Sequence, residues 1–283
     1  MKIYCLPLEI IAFAIHPGNT ESTTTVCLDV SARCLYMTSQ SNFDFSDVTT
    51  DTIHNIIDYL IEATAEHKKG NWSKKKCIDD FWLKHCALAD VINRTSSNKV
   101  VENIDKIYGQ LYTNLWNKFL DADYSKAVLL KLKSLIWQVA VIKDKDISYA
   151  KAIDKVGVHG ESRIIRFLFI RDYPMIHLTK TSSFFYLLPG EELSKNVKDN
   201  ARKWFREKIS IEPFAMGSSQ GTCLGCCECL EEFSIAHGDA GNKPKQWMDP
   251  LTLCGDQGGT ELVRLDSHHA IYVAFKYLIP PKD

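Results

Sequence analysis

Charge of one sign is missing from this sequence. Its 34 Lys and Arg stand against 35 Asp and Glu, a formal net charge of −1, so nothing draws the chain in bulk toward nucleic acid, whose binders carry a clearly basic face or domain. No apolar run approaches the ~20 residues that span a bilayer, which leaves no place for a membrane in its function. The start, Met1 to Ile15, offers one positive charge followed by apolar residues, but Glu9 interrupts that run and no A-x-A pattern follows, so it reads against a secretory signal. No polar stretch is long enough to serve as a flexible linker, and any domain boundary is therefore a compact one. His54, His67 and His85 lack the spacing of metal ligands and read as ordinary surface or core histidines.

What is present is an ordinary globular composition, 45% hydrophobic and 24% charged over 283 residues, enough for one large domain or two small ones. Ten cysteines are spread along it, four of them within 223–229. Disulfides between such near neighbours would be strained, so metal thiolates and free buried thiols explain them better. That points to a reducing, cytoplasmic compartment. Two glycosylation triplets, Asn71-Trp-Ser and Asn93-Arg-Thr, are common by chance and carry little.

Apolar periodicity organises the chain. Residues 3–15 and 25–37 suit two short strands, or a strand and a helix. Helical spacing follows over 47–67, again from Phe81 to Ile92, and from Val100 to Phe119. Residues 1–122 thus read as a mainly helical N-terminal region or cap. Between its helices, Lys68-Lys-Gly-Asn-Trp-Ser-Lys-Lys-Lys76 is a basic loop, read as a solvated connection in preference to a nucleic-acid contact. Residues 123–283 form the second unit. A helix is expected over Tyr124–Val141, a second from Val158 to Arg171, a charged one from Glu191 to Lys208, a strand over 209–216 and a further helix from Cys223. Two more strands, or one strand and a loop, are expected within 175–189, and residues 270–279 could close the domain as strand or helix.

Two motifs in the second unit carry chemistry. Val156-Gly-Val-His159-Gly-Glu161-Ser-Arg contains H-x-E, and Gly217-Ser-Ser-Gln-Gly-Thr-Cys223-Leu-Gly-Cys226 contains C-x-x-C. His159, Cys223 and Cys226 make the three-ligand set of a catalytic zinc, with a fourth position left for water. Glu161 is not needed as a ligand and can move protons beside that water, the arrangement of the zinc deaminases. Spacing alone does not force this choice. Cys226 and Cys229 form an overlapping C-x-x-C, and a knuckle of Cys223, Cys226, Cys227 and Cys229 is an alternative in which His159 is an ordinary histidine. The first set is preferred because the glycine-rich turn ends just before Cys223, which places Cys223 and Cys226 in the first helical turn, where the helix dipole favours thiolate.

Residues 125–250 resemble the cytidine-deaminase-like superfamily, and within it the branch found in Orientia and many fungi. The resemblance rests on Val158-His-Gly-Glu161, on Ser219-Gln-Gly-Thr-Cys-Leu-Gly-Cys226, and on His237-Gly238 ahead of Trp247. Gly160 replaces the usual alanine, Gln220 the usual lysine, and the gap between the motifs is longer than in free-nucleoside deaminases. The resemblance implies an α/β fold, a three-layer α/β/α sandwich with Zn2+ between two helix ends. It also implies hydrolytic deamination of a nucleobase, in a nucleoside, nucleotide or nucleic acid, with metal-activated water as nucleophile and Glu161 as proton carrier. His237 and Trp247 are candidate pocket walls, and Ser219 is a turn or cap residue that could also meet substrate. A secreted effector working in another cell's cytosol would use the same chemistry. Two rivals stand beside this reading: a non-catalytic interaction module stapled by zinc, and a thiol hydrolase built on Cys227 with His237 or His268.

Overall fold

Among the described residues, three of the four strands are short runs buried on both faces, as sheets covered by helices on either side require, and the fourth, at the end of the sheet, is partly exposed. In the computed structural model, residues 1–16, 23–39, 45–87, 110–143, 159–172, 213–233 and 235–238 are described, together with Lys203 and Glu207. A helical start (α1, Cys5–Ala14) leads into a hairpin of β1 (Thr24–Asp29) and β2 (Cys34–Ser39). Asp29 Oδ1 accepts the Ala32 N–H at 2.9 Å in the turn, and Arg33 takes φ 50°. Helices α2 (Thr50–Lys68), α3 (Lys74–His85), α4 (Gln110–Asp121) and α5 (Lys126–Leu135) follow. Then come β3 (Gln138–Val141), α6 (Gly160–Asp172), β4 (Phe214–Ser218) and α7 (Leu224–Glu232).

The chain is therefore a mixed α/β protein with one four-stranded sheet among the described residues, ordered β3-β2-β1-β4. β1 pairs antiparallel with both β2 and β4, and β2 pairs parallel with β3. Beyond β4, Ala236 bridges Ala215 in parallel. Strands from before and after residue 122 thus lie in the same sheet, with β1 and β4 paired although 193 residues separate Thr25 from Ser218.

Register decides which residues share a face, since paired residues point the same way. Val26, Met37 and Gly217 lie on one face with Leu28, Leu35 and Ala215. Helix α1 packs there so closely that a Cβ on Gly217 would meet the backbone of Leu8 and Glu9. The other face carries Thr25, Thr38 and Ser218, then Cys27, Tyr36 and Met216, and receives α6. Gly160 sits against Thr25 and Thr38, and Phe167 lies 5.0 Å from the Tyr36 ring.

Helix α1 is enclosed by the sheet on one side and by α2 and α4 on the other, and its residues are buried nearly all round, Glu9 included. A helix apolar on every side is what such a position calls for. The apolar start of the chain, ambiguous between strand and helix, is thus a core helix. Around it, Phe13 stacks on Tyr112 at 4.4 Å, while Trp82 and Trp116 are wholly buried. Helix α2 begins as its sequence dictates, with Thr49 and Thr52 forming a reciprocal capping box.

One helix is shorter than periodicity suggests. The expected helix over Tyr124–Val141 ends at Leu135, and Val139 belongs to β3. The apolar residues at 136, 139, 141 and 142 fit both periods, and pairing with β2 decides for strand. The basic stretch is only partly a loop, since Lys68 ends α2 and Lys74 to Lys76 open α3, and four of its five lysines are paired within the chain. Lys68 pairs with Asp123, Lys69 with Glu66 and Lys74 with Asp121, each at 2.6 Å, and Lys76 with Asp80 at 2.8 Å. The expected strands within 175–189, most of the helix over 191–208 and the segment 270–279 lie outside the described residues. None of the helices in the described residues is long and apolar enough to cross a membrane.

Candidate metal centre

Two helix N-termini build the site, one from each motif. His159 immediately precedes α6, and its carbonyl accepts the Arg163 N–H at 3.1 Å. Cys223 is the N-cap of α7, its Sγ accepting the Cys226 N–H at 3.5 Å. Cys223 is therefore a cap residue, one position ahead of the first helical turn expected from sequence, and Cys226 lies within that turn. The strand before it is β4, Phe214–Ser218, so pairing runs two residues past the Met216 end expected from sequence, through Gly217 and Ser218. A turn closed by Gly221 N–H to the Ser218 carbonyl at 3.3 Å then carries the chain back to the site. Gly221 takes φ 76°, a region glycine enters without a Cβ penalty.

The donor atoms converge. His159 Nδ1 lies 3.1 Å from Cys223 Sγ and 3.4 Å from Cys226 Sγ, and the ligand atoms of the three residues all fall within 4.8 Å of one another. Tetrahedral zinc with ordinary bond lengths separates a nitrogen and a sulfur ligand by about 3.6 Å, so the donors fit such an ion with small adjustment. The group is compatible with zinc in donor chemistry as well, one imidazole and two thiols. Among the described residues no fourth His, Cys, Asp or Glu joins it.

Electrostatics prepare the two sulfurs unequally. Hydrogen bonding with Cys226 first, and then with His159, draws the Cys223 thiol down to about 4. Burial and the neighbouring Cys223 push the Cys226 thiol well up. The dipoles of α6 and α7 add their positive ends to the same place.

Glu161 stands in the first turn of α6 and is 3% exposed. Burial raises its carboxyl above the ordinary 4.5, the influence of Cys223 adds to that rise, and the nearby His159 and a hydrogen bond with Ser218 oppose it. Gly160 lets the helix settle this deeply: a side chain there would run into Thr25.

No family model, no curated protein and no solved structure matches this chain.

The remaining candidates are distributed differently. Ser219 is buried, and its hydroxyl accepts the Thr24 N–H at 3.0 Å, fastening the end of β4 to β1. His237 follows the Ala236 bridge; its Nδ1 lies 2.7 Å from the Gly238 carbonyl and its Nε2 lies 3.8 Å from Glu231. Trp247 and His268 lie outside the described residues. Cys227 donates to the Thr222 carbonyl at 3.6 Å, and burial pushes its thiol up to about 12, the opposite of what a nucleophilic thiolate needs. Sequence reasoning passed over Thr25, Ser218 and Ser162. Ser162 Oγ approaches Cys226 Sγ at 4.0 Å, and only the sheet register reveals the other two.

Proposed function

We propose that this protein is a zinc-dependent hydrolytic deaminase acting on a nucleobase, free or within a nucleoside, nucleotide or nucleic acid. The observation that carries the reading is a buried carboxyl beside a three-donor group: Glu161 stands next to His159, Cys223 and Cys226 without being needed as a ligand. A structural zinc is closed by four protein ligands, whereas a catalytic one keeps a position open. The layering supports the same reading. Helix α1 on one face of the sheet and α6 on the other agree with a three-layer α/β/α deaminase-like sandwich, with both ligand-bearing helix ends meeting on one side.

His159, Cys223 and Cys226 would hold the metal, His159 through Nδ1. When bound, zinc supplies a Lewis acid and an acidified water. Glu161 would take one proton from that water at its carboxylate and pass it to the ring nitrogen of the base, then take the second from the added hydroxyl and hand it to the departing amine. Water and the aminated base thereby become the carbonyl base and ammonia. Burial of Glu161 favours this work, because a carboxyl raised above its ordinary range takes up a proton more readily than an exposed one.

The test pairs zinc analysis with ammonia release from a panel of cytosine, adenine and guanine nucleosides, nucleotides and single-stranded oligonucleotides. Turnover lost in Glu161→Gln, with zinc retained, supports the proposal. Zinc bound with no substrate in any class turned over would leave a zinc-stapled interaction module in its place.

A further inference from the structure

Three hydroxyl residues form a row across the sheet directly beneath the start of α6. Thr38 pairs with Thr25, and Thr25 pairs with Ser218, so register places all three side chains on the face that receives Gly160 and Glu161. They are 1%, 0% and 2% exposed. A buried hydroxyl is costly unless it finds a partner, and the partners here follow a direction. Thr38 Oγ1 donates to the Ile142 carbonyl at 3.3 Å, at the far end from the metal centre. Thr25 Oγ1 lies 3.2 Å from Ser218 Oγ, and the register turns Ser218 to the face on which Glu161 is buried, where it opposes the rise that burial causes in the Glu161 carboxyl.

We propose that Ser218 and Thr25 are positioning residues for Glu161, two linked hydroxyls that aim its carboxylate at the metal centre. The inference rests on the deaminase reading for its purpose and on the sheet register for its geometry. An ionised carboxylate only accepts hydrogen bonds. Ser218 must then donate to Glu161, which leaves Thr25 to donate to Ser218. One hydroxyl fixes the carboxylate, and the second fixes the first. Gly160 completes the arrangement, because only a residue without Cβ lets the helix lie close enough to Thr25 for Glu161 to reach the row.

The experiment labels glutamate carboxyl carbons with carbon-13 in the full-length protein, the Glu161 signal being the one lost in Glu161→Gln. Ser218→Ala and Thr25→Val should both move that signal, and Thr25→Ser, which keeps the hydroxyl, should leave it at the wild-type position. In the zinc-loaded protein Thr25→Val should also lower kcat about tenfold at unchanged KM, the scale of one hydrogen bond to a charged group. A Glu161 signal unmoved by both Ser218→Ala and Thr25→Val overturns the proposal. Should Ser218→Ala fail to fold, the Val and Ser variants of Thr25 decide alone. Zinc content of the same samples reports separately on the deaminase reading, and its failure would leave the carboxyl signals interpretable.

Discussion

His159 Nδ1 lies 3.1 Å from Cys223 Sγ although 64 residues separate them along the chain. The two sit at the N-terminal ends of different helices, and the sheet beneath brings those ends together. Metal binding is the property this approach makes testable first.

Purified protein is expected to carry about one zinc per chain. His159→Ala and Cys223→Ser should each lose it. Cys227→Ser should keep it, because the Cys227 thiol is turned to the Thr222 carbonyl. Elemental analysis beside protein concentration checks this, and zinc retained without His159 would return the cysteine-only knuckle.

Zinc uptake should release about one thiol proton at neutral pH, since ligating sulfur is deprotonated. Cys223 is already a thiolate there, its value lying near 4, while Cys226 is held protonated by burial. Affinity should therefore climb as pH rises through neutrality. Calorimetry in buffers of different ionisation enthalpy counts the protons.

Glu161→Gln should have opposite effects on activity and stability. Turnover should fall by about 10²–10⁴, the usual contribution of a proton-transfer group. The zinc-free protein should become more stable at neutral pH. The sign follows from linkage: burial raises the carboxyl in the folded state, so below its ordinary 4.5 it is protonated folded or unfolded and the difference vanishes. Above that value the unfolded chain ionises first, and stability declines as pH rises toward the folded-state value. Glutamine stays neutral and escapes the decline. Thermal melts of both proteins at pH 4 and 7 measure it.

Alanine at Gly160 or Gly217 should destabilise the fold by about 1–3 kcal/mol each, as overpacking does. At Gly160 the new methyl would lie 2.7 Å from Thr25 Cβ, and at Gly217 it would lie 2.7 Å from the Leu8 carbonyl oxygen. Only Gly160→Ala should also weaken zinc binding, because it lifts the helix that carries His159. Gly70, with nothing within 4 Å of an added Cβ and φ 76°, should cost only the backbone strain, about 1–2 kcal/mol. Melting curves and zinc titrations of the three variants separate these effects.

Read residue by residue, the sequence determined which side chains can act as donors but not their meeting. H-x-E and C-x-x-C offer His159, Cys223 and Cys226 as donors with Glu161 close by, because ligand chemistry is a property of residue type, while the overlapping Cys226 and Cys229 pair left a second choice open. Caps at Thr49 and Ser73 set the starts of α2 and α3, whereas apolar spacing placed those starts at 47 and at Phe81, because it registers buried side chains and not the polar residues that cap. Helix α1 remained ambiguous from sequence because a segment enclosed on all sides has no polar face to set its period. Val139 was drawn into a helical pattern because short apolar runs satisfy both periods, and the pairing that settles it comes from β2, about 100 residues earlier in the chain. Only the tertiary structure paired β1 with β4 and so placed Thr25 beside Ser218, 193 residues apart. That pairing depends on backbone hydrogen bonds and on burial of two faces at once, neither of which leaves a local trace in residue order. The depth of Glu161, the hydroxyls beneath it and the need for glycine at 160 all follow from it.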